Sequence, residues 1–388
     1  MRKPTASTFR FTHLYLENWR NFARVDVDLQ KRVFLIGPNA SGKSNLLDVF
    51  RFLRDVVSVG GGFQAAVARR GGVKPLRCLA ARRSPDIVIR VCIGNDESPS
   101  VWEYEIRFNQ ENQNLPLIAN ESVCKNGKEI LSRPDREDDI DSQRLTQTHL
   151  EQINVNKDFR EIAEFFNSVR YLHVVPQLVR EPDRSVGRQD DPYGGDFLEQ
   201  IAKTSSRTRD SWLKKIVKAL KVAVPQFEDI QFERDPARGT PHLKVKYNHW
   251  RPQGAWQKED QFSDGTLRLL GLLWAILEKR GPLLLEEPEL SLHTEIVRHL
   301  PQMFGGMQMR SGRQVIVSTH SSELLNEEGI ALDEVLLLIP NPEGTTVRPA
   351  QDIRDIRHLV QGGIPVGEAV IPQTAPKIAG KLTQMTLF

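Results

Sequence analysis

The stretch Gly37-Pro-Asn-Ala-Ser-Gly-Lys-Ser44 combines glycines, a lysine and a serine at a spacing that suits phosphate binding. The glycines let the backbone turn tightly and bring its N–H groups close to phosphate oxygens. Lys43 would place a positive charge beside the β- and γ-phosphates, and the Ser44 hydroxyl would ligate Mg²⁺. An apolar strand pattern, 32–36, precedes the loop and a helical pattern, 44–57, follows it. This is the context in which the motif binds a nucleotide.

Two adjacent carboxylates, Glu286 and Glu287, follow the short apolar segment 282–285. Mg²⁺ bound to a nucleotide requires a carboxylate at its outer shell, and hydrolysis requires a group that orients water. Two acids at a strand end can divide these roles, with Glu286 serving the metal and Glu287 positioning the water. The alternative is a solvated acidic turn after a core strand, which the upstream phosphate loop makes the weaker interpretation.

Two further segments carry residues of suitable type. A buried strand pattern, 313–319, ends at His320, where an imidazole can reach a γ-phosphate. Ser263 and Gly265 stand just before a strongly apolar helix pattern, and a helix N-terminus favours anions. Taken alone, a histidine at a strand end is more often structural, and Ser263 is equally consistent with a plain helix N-cap.

These segments, in this order, resemble the soluble ABC-type ATPases of the RecF, SMC and OLD-nuclease group. The resemblance rests on Asn18-Trp-Arg-Asn-Phe22, GPNASGKS, SDGT, LLLEEPELSLH and STHS, while 60–170 contributes little. It implies ATP and Mg²⁺ as ligands and ATP hydrolysis as the activity. It also implies nucleotide contacts by Arg20, Gly37, Asn39, Ala40, Ser41, Gly42, Lys43, Ser44, Ser263 and Gly265.

The same resemblance implies an assembly, because the family's signature motif acts in trans. Ser263 of one subunit would cap the γ-phosphate held by the other, so a homodimer or higher assembly is expected. Two positions depart from the family pattern. Glu286 stands where a Walker B aspartate is usual, and the metal-contacting glutamine of the Q-loop is not evident. Gln177 is the choice for that glutamine, and Gln64 is the rival.

The pattern of the chain predicts an α/β fold, a two-lobed ABC ATPase head with a mixed sheet. It also predicts an antiparallel β subdomain, a helical signature lobe and no long coiled coil, since no heptad pattern is sustained. Four segments are expected along the chain. They are an ATP-binding lobe with the antiparallel sheet at 1–175, a helical insert at 176–261, a lobe with the signature, the acidic pair and His320 at 262–345, and a C-terminal tail at 346–388.

Charge and composition narrow the class of partner. The 388 residues carry a net charge of +3, so a DNA surface would have to be a local patch. Two basic clusters are candidates, and each is equally consistent with a solvated face. The first comprises Arg69, Arg70, Lys74, Arg77, Arg82 and Arg83, and the second comprises Lys203, Arg207, Arg209, Lys214, Lys215, Lys218 and Lys221.

The cysteines and the apolar segments point to a cytoplasmic protein. The chain has 3 cysteines, none in a C-x-x-C pair, so neither a disulfide framework nor a zinc site is expected. The most apolar segments, Leu267–Leu277 and Val335–Pro340, are too short to span a bilayer. No membrane partner is therefore expected.

Three functions are compatible with these motifs. The favoured one is an ATPase subunit that senses or clamps DNA and gates a separate effector in phage defence. A RecF-like repair ATPase is the alternative, and a transport ATPase subunit is disfavoured by the SDGT signature and the early Asn-x-Arg pattern. OLD-family proteins carry a C-terminal nuclease with clustered acids. The stretch after His320 is short and lacks such acids, so a nuclease is expected on another chain.

The last five residues, 384–388, resemble the pentapeptide that binds the bacterial sliding clamp. The segment offers an amide at Gln384 and two apolar anchors, Leu387 and Phe388, which can fill pockets on a partner. Two alternatives compete with clamp binding. The tail either packs on its own head or docks on the effector subunit.

Overall fold

A computed structural model describes residues 9–81, 84–110, 115–184, 191–248, 255–278 and 281–375. The described residues group into two compact units. The first unit is drawn from Met1–Arg170, Arg280–Leu284 and Gln308–Phe388, and the second from Tyr171–Lys279 and Leu285–Met307. The chain therefore leaves the first unit and returns to it twice. The division into four segments made from the sequence stays a prediction.

An antiparallel sheet of six strands belongs to the first unit. Its order is β2-β1-β4-β5-β6-β7, with the strands β1 (Arg10–Trp19), β2 (Phe22–Asp28), β4 (Ile87–Gly94), β5 (Trp102–Gln110), β6 (Pro116–Lys125) and β7 (Lys128–Arg133). Buried and partly exposed side chains alternate along β5, as a sheet with one covered face requires. Leu14 of β1 lies opposite Val27 on one side and Val91 on the other. The predicted antiparallel subdomain is confirmed.

A second sheet, of mixed strand direction, contains β3 as an inner strand. Its order is β15-β14-β3-β13-β12-β8, with β3 (Arg32–Ile36), β8 (Arg170–Leu172), β12 (Leu283–Glu286), β13 (Val315–Thr319), β14 (Val335–Asn341) and β15 (Gly344–Pro349). β3 runs parallel to β13 and β14, whereas β14 and β15 are antiparallel. Val315–Thr319 is buried throughout, as expected for parallel strands covered on both faces. Because Ile36 pairs with Thr319, the loops after β3 and β13 begin side by side.

Aromatic packing joins the helices of the first unit to its antiparallel sheet. The Phe11 ring lies 4.6 Å from that of Phe50 and 4.9 Å from that of Phe165, measured between centroids. Those two partners lie on α1 and α5, so both helices cover the same sheet. The helices are α1 (Lys43–Val57), α2 (Phe63–Ala68), α3 (Val73–Leu76), α4 (Arg136–Ile140), α5 (Arg160–Asn167), α11 (Ser322–Leu325), α12 (Arg354–Gln361) and α13 (Val366–Thr374).

The second unit packs helices and a small antiparallel sheet around one apolar core. It contains the helices α6 (Pro176–Val179), α7 (Phe197–Lys203), α8 (Ser206–Ala223), α9 (Asp264–Leu277) and most of α10 (Thr294–Ser311). Its sheet has the order β11 (Ala255–Lys258), β10 (Pro241–Tyr247), β9 (Phe227–Arg234). Trp274 of α9 is buried, with the Trp212 ring 5.0 Å away. α9 is buried along most of its length, which explains its nearly continuous apolar sequence.

The expected absence of a long coiled coil fits the helix lengths. α8 and α10 have 18 residues each, and no helix of the described ranges exceeds them. Across those same ranges, no helix is both long and apolar enough to cross a membrane. Arg82, Arg83 and the tail 384–388 lie outside the described residues, so the expectations placed on them stay predictions.

Candidate functional site

The phosphate loop adopts a backbone that only its own residue types allow. It joins β3 to α1, and Gly42 caps α1 with a φ of 96°. A Cβ on Gly42 would lie 2.3 Å from the side chain of Asn21, and one on Gly37 would lie 2.7 Å from the Leu338 carbonyl oxygen. Ala40 also has a positive φ, of 62°. The loop is therefore a tightly fixed concave turn whose glycines cannot carry side chains.

Lys43 and His320 meet at this loop, as the pairing of β3 with β13 requires. The Lys43 side chain is buried, and its Nζ lies 2.6 Å from His320 Nε2. The same ammonium donates to the carbonyl oxygens of Gly37 at 3.1 Å and Pro38 at 3.3 Å. Ser44 follows as an exposed residue in the first turn of α1. The two candidate γ-phosphate contacts of the first unit are thus brought together.

Asn21 braces the loop from behind, a role that sequence reasoning missed. Its side-chain amide donates to the Ser41 carbonyl oxygen and to Thr345 Oγ1, both at 2.8 Å. Its oxygen accepts a hydrogen bond from Asn45 Nδ2 at 2.7 Å. One side chain therefore ties the loop to α1 and to β15. Its position in the turn beside Arg20 was the available signal.

Arg20, expected to touch nucleotide phosphates, pairs with a carboxylate on α1 in this structure. Its Nη2 lies 3.0 Å from Asp48 Oδ2, and Arg70 approaches the same carboxylate at 2.8 Å. Burial alone would raise the pKa of Asp48, but Arg70, together with Arg51 and Arg20, outweighs burial and the pKa is lowered. Asp48 thus holds Arg20 at the first turns of α1, and a contact from Arg20 to phosphate stays a prediction.

The assignment of Arg70 to a DNA-facing cluster is wrong. Its side chain is only 5% exposed, and it bonds Asp48 and Asp55 and lies over the Phe52 ring. Burial would lower the pKa of this guanidinium, but Asp48 and Asp55 raise it above its usual value. A buried, fully paired arginine cannot also neutralise DNA phosphates. The partners are 22 and 15 residues away along the chain, so a local pattern could not reveal them.

The acidic pair lies in the second unit at the end of β12. Glu286 accepts a hydrogen bond from the Tyr171 hydroxyl, and its carbonyl oxygen lies 3.4 Å from His173 Nδ1. Glu287 has a φ of 44°, which turns the chain sharply after the strand. Both acids line a depression together with Leu172, Val174, Arg268, Leu272, Leu285 and Pro288. Tyr171 is a second residue that sequence reasoning missed, since it lies 115 positions from Glu286.

The signature serine begins α9 in the same unit. Ser263 is exposed and caps the helix, with its Oγ accepting the Thr266 N–H at 3.2 Å. A Cβ on Gly265 would lie only 2.4 Å from the Ser291 carbonyl oxygen. Glycine at that position therefore permits the segment 290–293 to approach the signature. The structure brings these two family motifs together.

The two candidates for the Q-loop glutamine occupy different surroundings. Gln64 donates its side-chain amide to the carbonyl oxygens of Pro116 and Thr146, both at 2.8 Å. Its amide is thereby engaged by β6 and by the turn Ser142–Thr146. Gln177 is exposed on α6 in the second unit. Gln177 thus remains the candidate, and its contact with a metal stays a prediction.

One cluster outside the candidate site consists of residue types that can ligate a metal, but it belongs to a network of ion pairs. Asp135, Asp138 and His149 place one ligand atom each within 4.8 Å of one another. Arg133, however, donates to both oxygens of Asp138 at 2.9 and 2.7 Å. Burial acts to raise the pKa of Asp138, yet the hydrogen bonds from Arg133 lower it to about 2. Asp138 is therefore ionised, but both of its oxygens already accept hydrogen bonds from Arg133, so this cluster is an ion-pair network.

Comparisons with known proteins identify the class. Residues 32–326 match the family described as "AAA domain, putative AbiEii toxin, Type IV TA system", and the chain belongs to this family. Its fold is that of an ABC/SMC-like AAA ATPase, which confirms the resemblance stated above. Proteins of this family are generally ATPases that use a nucleotide and typically Mg²⁺.

Two solved structures share the fold at low sequence identity. An SMC head bound to the C-winged-helix domain of ScpA is 12% identical, with a TM-score of 0.53 over 87% of this chain and 96% of that one. An SMC head with an extended coiled coil, bound to the C-terminal domain of ScpA and derived from Pyrococcus furiosus, is 11% identical, with a TM-score of 0.52 over 91% and 100%. No protein of curated function matches the sequence.

The phosphate loop fits the nucleotide that the family implies. Any side chain on Gly37 or Gly42 would fill the turn, and a lysine borders it. The Ser41 hydroxyl is buried with no hydrogen-bond partner among the described residues. A concave loop with a cation and an unsatisfied donor suits a phosphate group.

Proposed function

We propose that this chain binds and hydrolyses ATP, and that two copies close on ATP. The proposal rests on the structure of the loop. Lys43 borders it and contacts His320, and the turn leaves no room for side chains at its glycines. Gly37, Asn39, Ala40, Ser41 and Gly42 would offer backbone N–H groups to phosphate oxygens. Arg20 would leave Asp48 to join them.

The remaining residues divide the chemistry of hydrolysis. Mg²⁺, when bound, neutralises charge on the phosphates. Ser44 would ligate it, with Glu286 and Gln177 at its outer positions. Glu287 orients the attacking water and accepts its proton, while His320 contacts the γ-phosphate. Tyr171, through its hydrogen bond, fixes the direction of the Glu286 carboxylate.

The head-to-tail dimer follows from the signature. Ser263 is exposed at the start of α9. Its hydroxyl and the N-terminus of α9 would bind the γ-phosphate held by a second copy, with Gly265 allowing close approach.

The rate of hydrolysis tests this dimer. The rate per subunit should rise with protein concentration and then level off, because each site needs a second copy. Ser263→Arg should lower the plateau by roughly a hundredfold, the loss typical of removing one donor to a transition-state oxyanion. Ser205→Arg, at the exposed start of α8, is the matched control and should keep the rate. The dimer would be contradicted if the rate per subunit did not change with protein concentration, even at concentrations where light scattering detects only monomer.

The cellular role we propose is the gating of a separate effector in phage defence, in the cytoplasm. The family's description names a putative toxin and a toxin–antitoxin system, which supports defence over RecF-like repair. A nuclease-like chain is the proposed effector. The tail 384–388 would serve as a docking segment for it or for a sliding clamp.

We propose α8 as the DNA-contacting surface. Arg207, Lys214, Lys218 and Lys221 are exposed and fall on one helical face at spacings of seven, four and three. In the described part of the chain, no carboxylate pairs with these cations. A neighbouring face of the helix is buried through Leu213, Ile216, Val217 and Leu220. Arg209 instead stacks on the Phe232 ring at 4.1 Å.

The salt dependence of DNA binding tests the α8 surface. Replacing Lys214, Lys218 and Lys221 by glutamine should reduce the slope of log K against log salt by about 0.9 for each DNA phosphate that the protein no longer neutralises. The matched control replaces Arg69, Lys74 and Arg77 of the first cluster, and its slope should equal that of the wild type. If the slope were lowered only in the control, the DNA-binding surface would be the first cluster and not α8.

A further inference from the structure

Arg180 holds the turn that carries the signature serine. Its Nη2 donates to the Phe262 carbonyl oxygen at 2.6 Å and to Asp264 Oδ1 at 2.5 Å. These acceptors belong to the residues immediately before and after Ser263. One guanidinium nitrogen therefore bridges the serine on both sides.

Both sides of this contact are anchored in the core of the second unit. Val179, which precedes the arginine, and Phe262, which precedes the serine, are each only 2% exposed. The backbone N–H of Arg180 also donates to the Pro176 carbonyl oxygen at 3.0 Å, which closes the turn of α6. The backbone that carries the guanidinium and the backbone that accepts its hydrogen bond are therefore both fixed. Its side chain is 25% exposed, so solvent weakens the charge attraction but leaves the geometry intact.

The signature turn is held from a second direction by the segment 290–293. The Ser291 carbonyl oxygen lies so close to Gly265 that no Cβ fits between them. With Ser291 on one side and Arg180 on the other, the first residues of α9 have little freedom. The Ser263 hydroxyl stays at the exposed end of the helix. A donor held in place before its ligand arrives loses little free energy to reorganisation.

We propose that Arg180 is a positioning residue for the signature, which holds Ser263 ready for the phosphate of a second copy. This inference rests on the proposed role of Ser263 in trans. In this role Arg180 acts through the signature turn and not on the nucleotide. Its loss should therefore lower hydrolysis without weakening the binding of ATP to the phosphate loop of the same chain.

Two measurements on the full chain separate positioning from a merely structural role. Arg180→Ala should lower kcat about tenfold, as expected when two charge-assisted hydrogen bonds are removed. Its ATP affinity, measured by calorimetry at a concentration where the protein is monomeric, should equal that of the wild type. Arg180→Lys keeps the charge without the planar fork and should recover part of the rate. Arg238→Ala, which removes an arginine 73% exposed in the same unit, should change neither quantity.

Mixing variants then tests whether the defect acts in trans. Lys43→Ala lacks a working phosphate loop but keeps its signature, whereas Arg180→Ala has the opposite defect. In an equal mixture, half of randomly paired dimers are mixed, and each has one intact site. About a quarter of all sites should then work, well above either variant alone. A mixture of Ser263→Arg with Lys43→Ala gives the reference for one intact site.

The outcomes distinguish this inference from the dimer on which it rests. Recovery in both mixtures supports the role of Arg180. Recovery in the Ser263→Arg mixture alone would overturn the role of Arg180 and leave the dimer standing, as would full activity of Arg180→Ala by itself. Recovery in neither mixture would overturn the arrangement in trans and the Arg180 proposal with it.

Discussion

Replacing Lys43 by alanine is expected to abolish ATP binding. The ammonium is the buried cation of the loop, where it bonds two loop carbonyl oxygens and His320. Its removal takes away the charge that we propose for the β- and γ-phosphates, and Arg20, which we propose to contact the same phosphates, remains alone. Affinity should fall by roughly a hundredfold or more, which corresponds to about 2.7 kcal/mol or more of binding free energy.

Calorimetric titration with ATP measures this loss, and Lys31→Ala provides the control. Lys31 is exposed just before β3 and pairs with Asp96 near the surface, so its removal should leave affinity unchanged. A thermal unfolding curve should accompany both variants, since Lys43 is buried. Unchanged ATP affinity in a folded Lys43→Ala protein would place the nucleotide elsewhere.

Replacing Glu287 by glutamine is expected to stop hydrolysis while ATP still binds. Glutamine preserves the size of the side chain but cannot accept a proton from the attacking water. A general base contributes about a hundredfold to ten-thousandfold, so the rate should fall by at least about a hundredfold. Glu295→Gln removes an exposed acid that pairs with Arg298 at the start of α10, and it should hydrolyse ATP normally. Wild-type turnover by Glu287→Gln would remove Glu287 from the mechanism.

Local patterns sufficed for the elements that position the site. The apolar run 32–36, the glycine loop and the periodic helix after it have strong local signals, and β3 and α1 occur where expected. The alternation of apolar and polar residues in 101–108 is likewise typical of a strand with one covered face, and β5 occurs there. Short elements were less readable. The apolar sequence 171–175 is typical of a strand, but β8 ends at Leu172, and the Val175 N–H bonds the Tyr193 carbonyl oxygen outside the sheet.

Contacts between distant residues could not be derived from spacing. Arg70 resembles any other arginine of a basic stretch until Asp48 and Asp55 are known to surround it. The Tyr171 bond to Glu286 and the Arg180 bonds to the signature turn depend on how the second unit packs. Asn21 lay within a recognised motif, yet its brace to Thr345 joins residues 324 positions apart. Such roles arise from tertiary packing, which a pattern along the chain does not encode.

The most direct test of the proposed ATP-driven dimer is light scattering of Glu287→Gln with and without ATP. We expect a monomer without nucleotide or with ADP, and a stable dimer with ATP and Mg²⁺, because hydrolysis no longer opens the two sites. Adding Ser263→Arg to the same chain should return the protein to a monomer in ATP, while adding Ser205→Arg should not. A Glu287→Gln protein that binds ATP yet stays monomeric at every concentration would contradict the account.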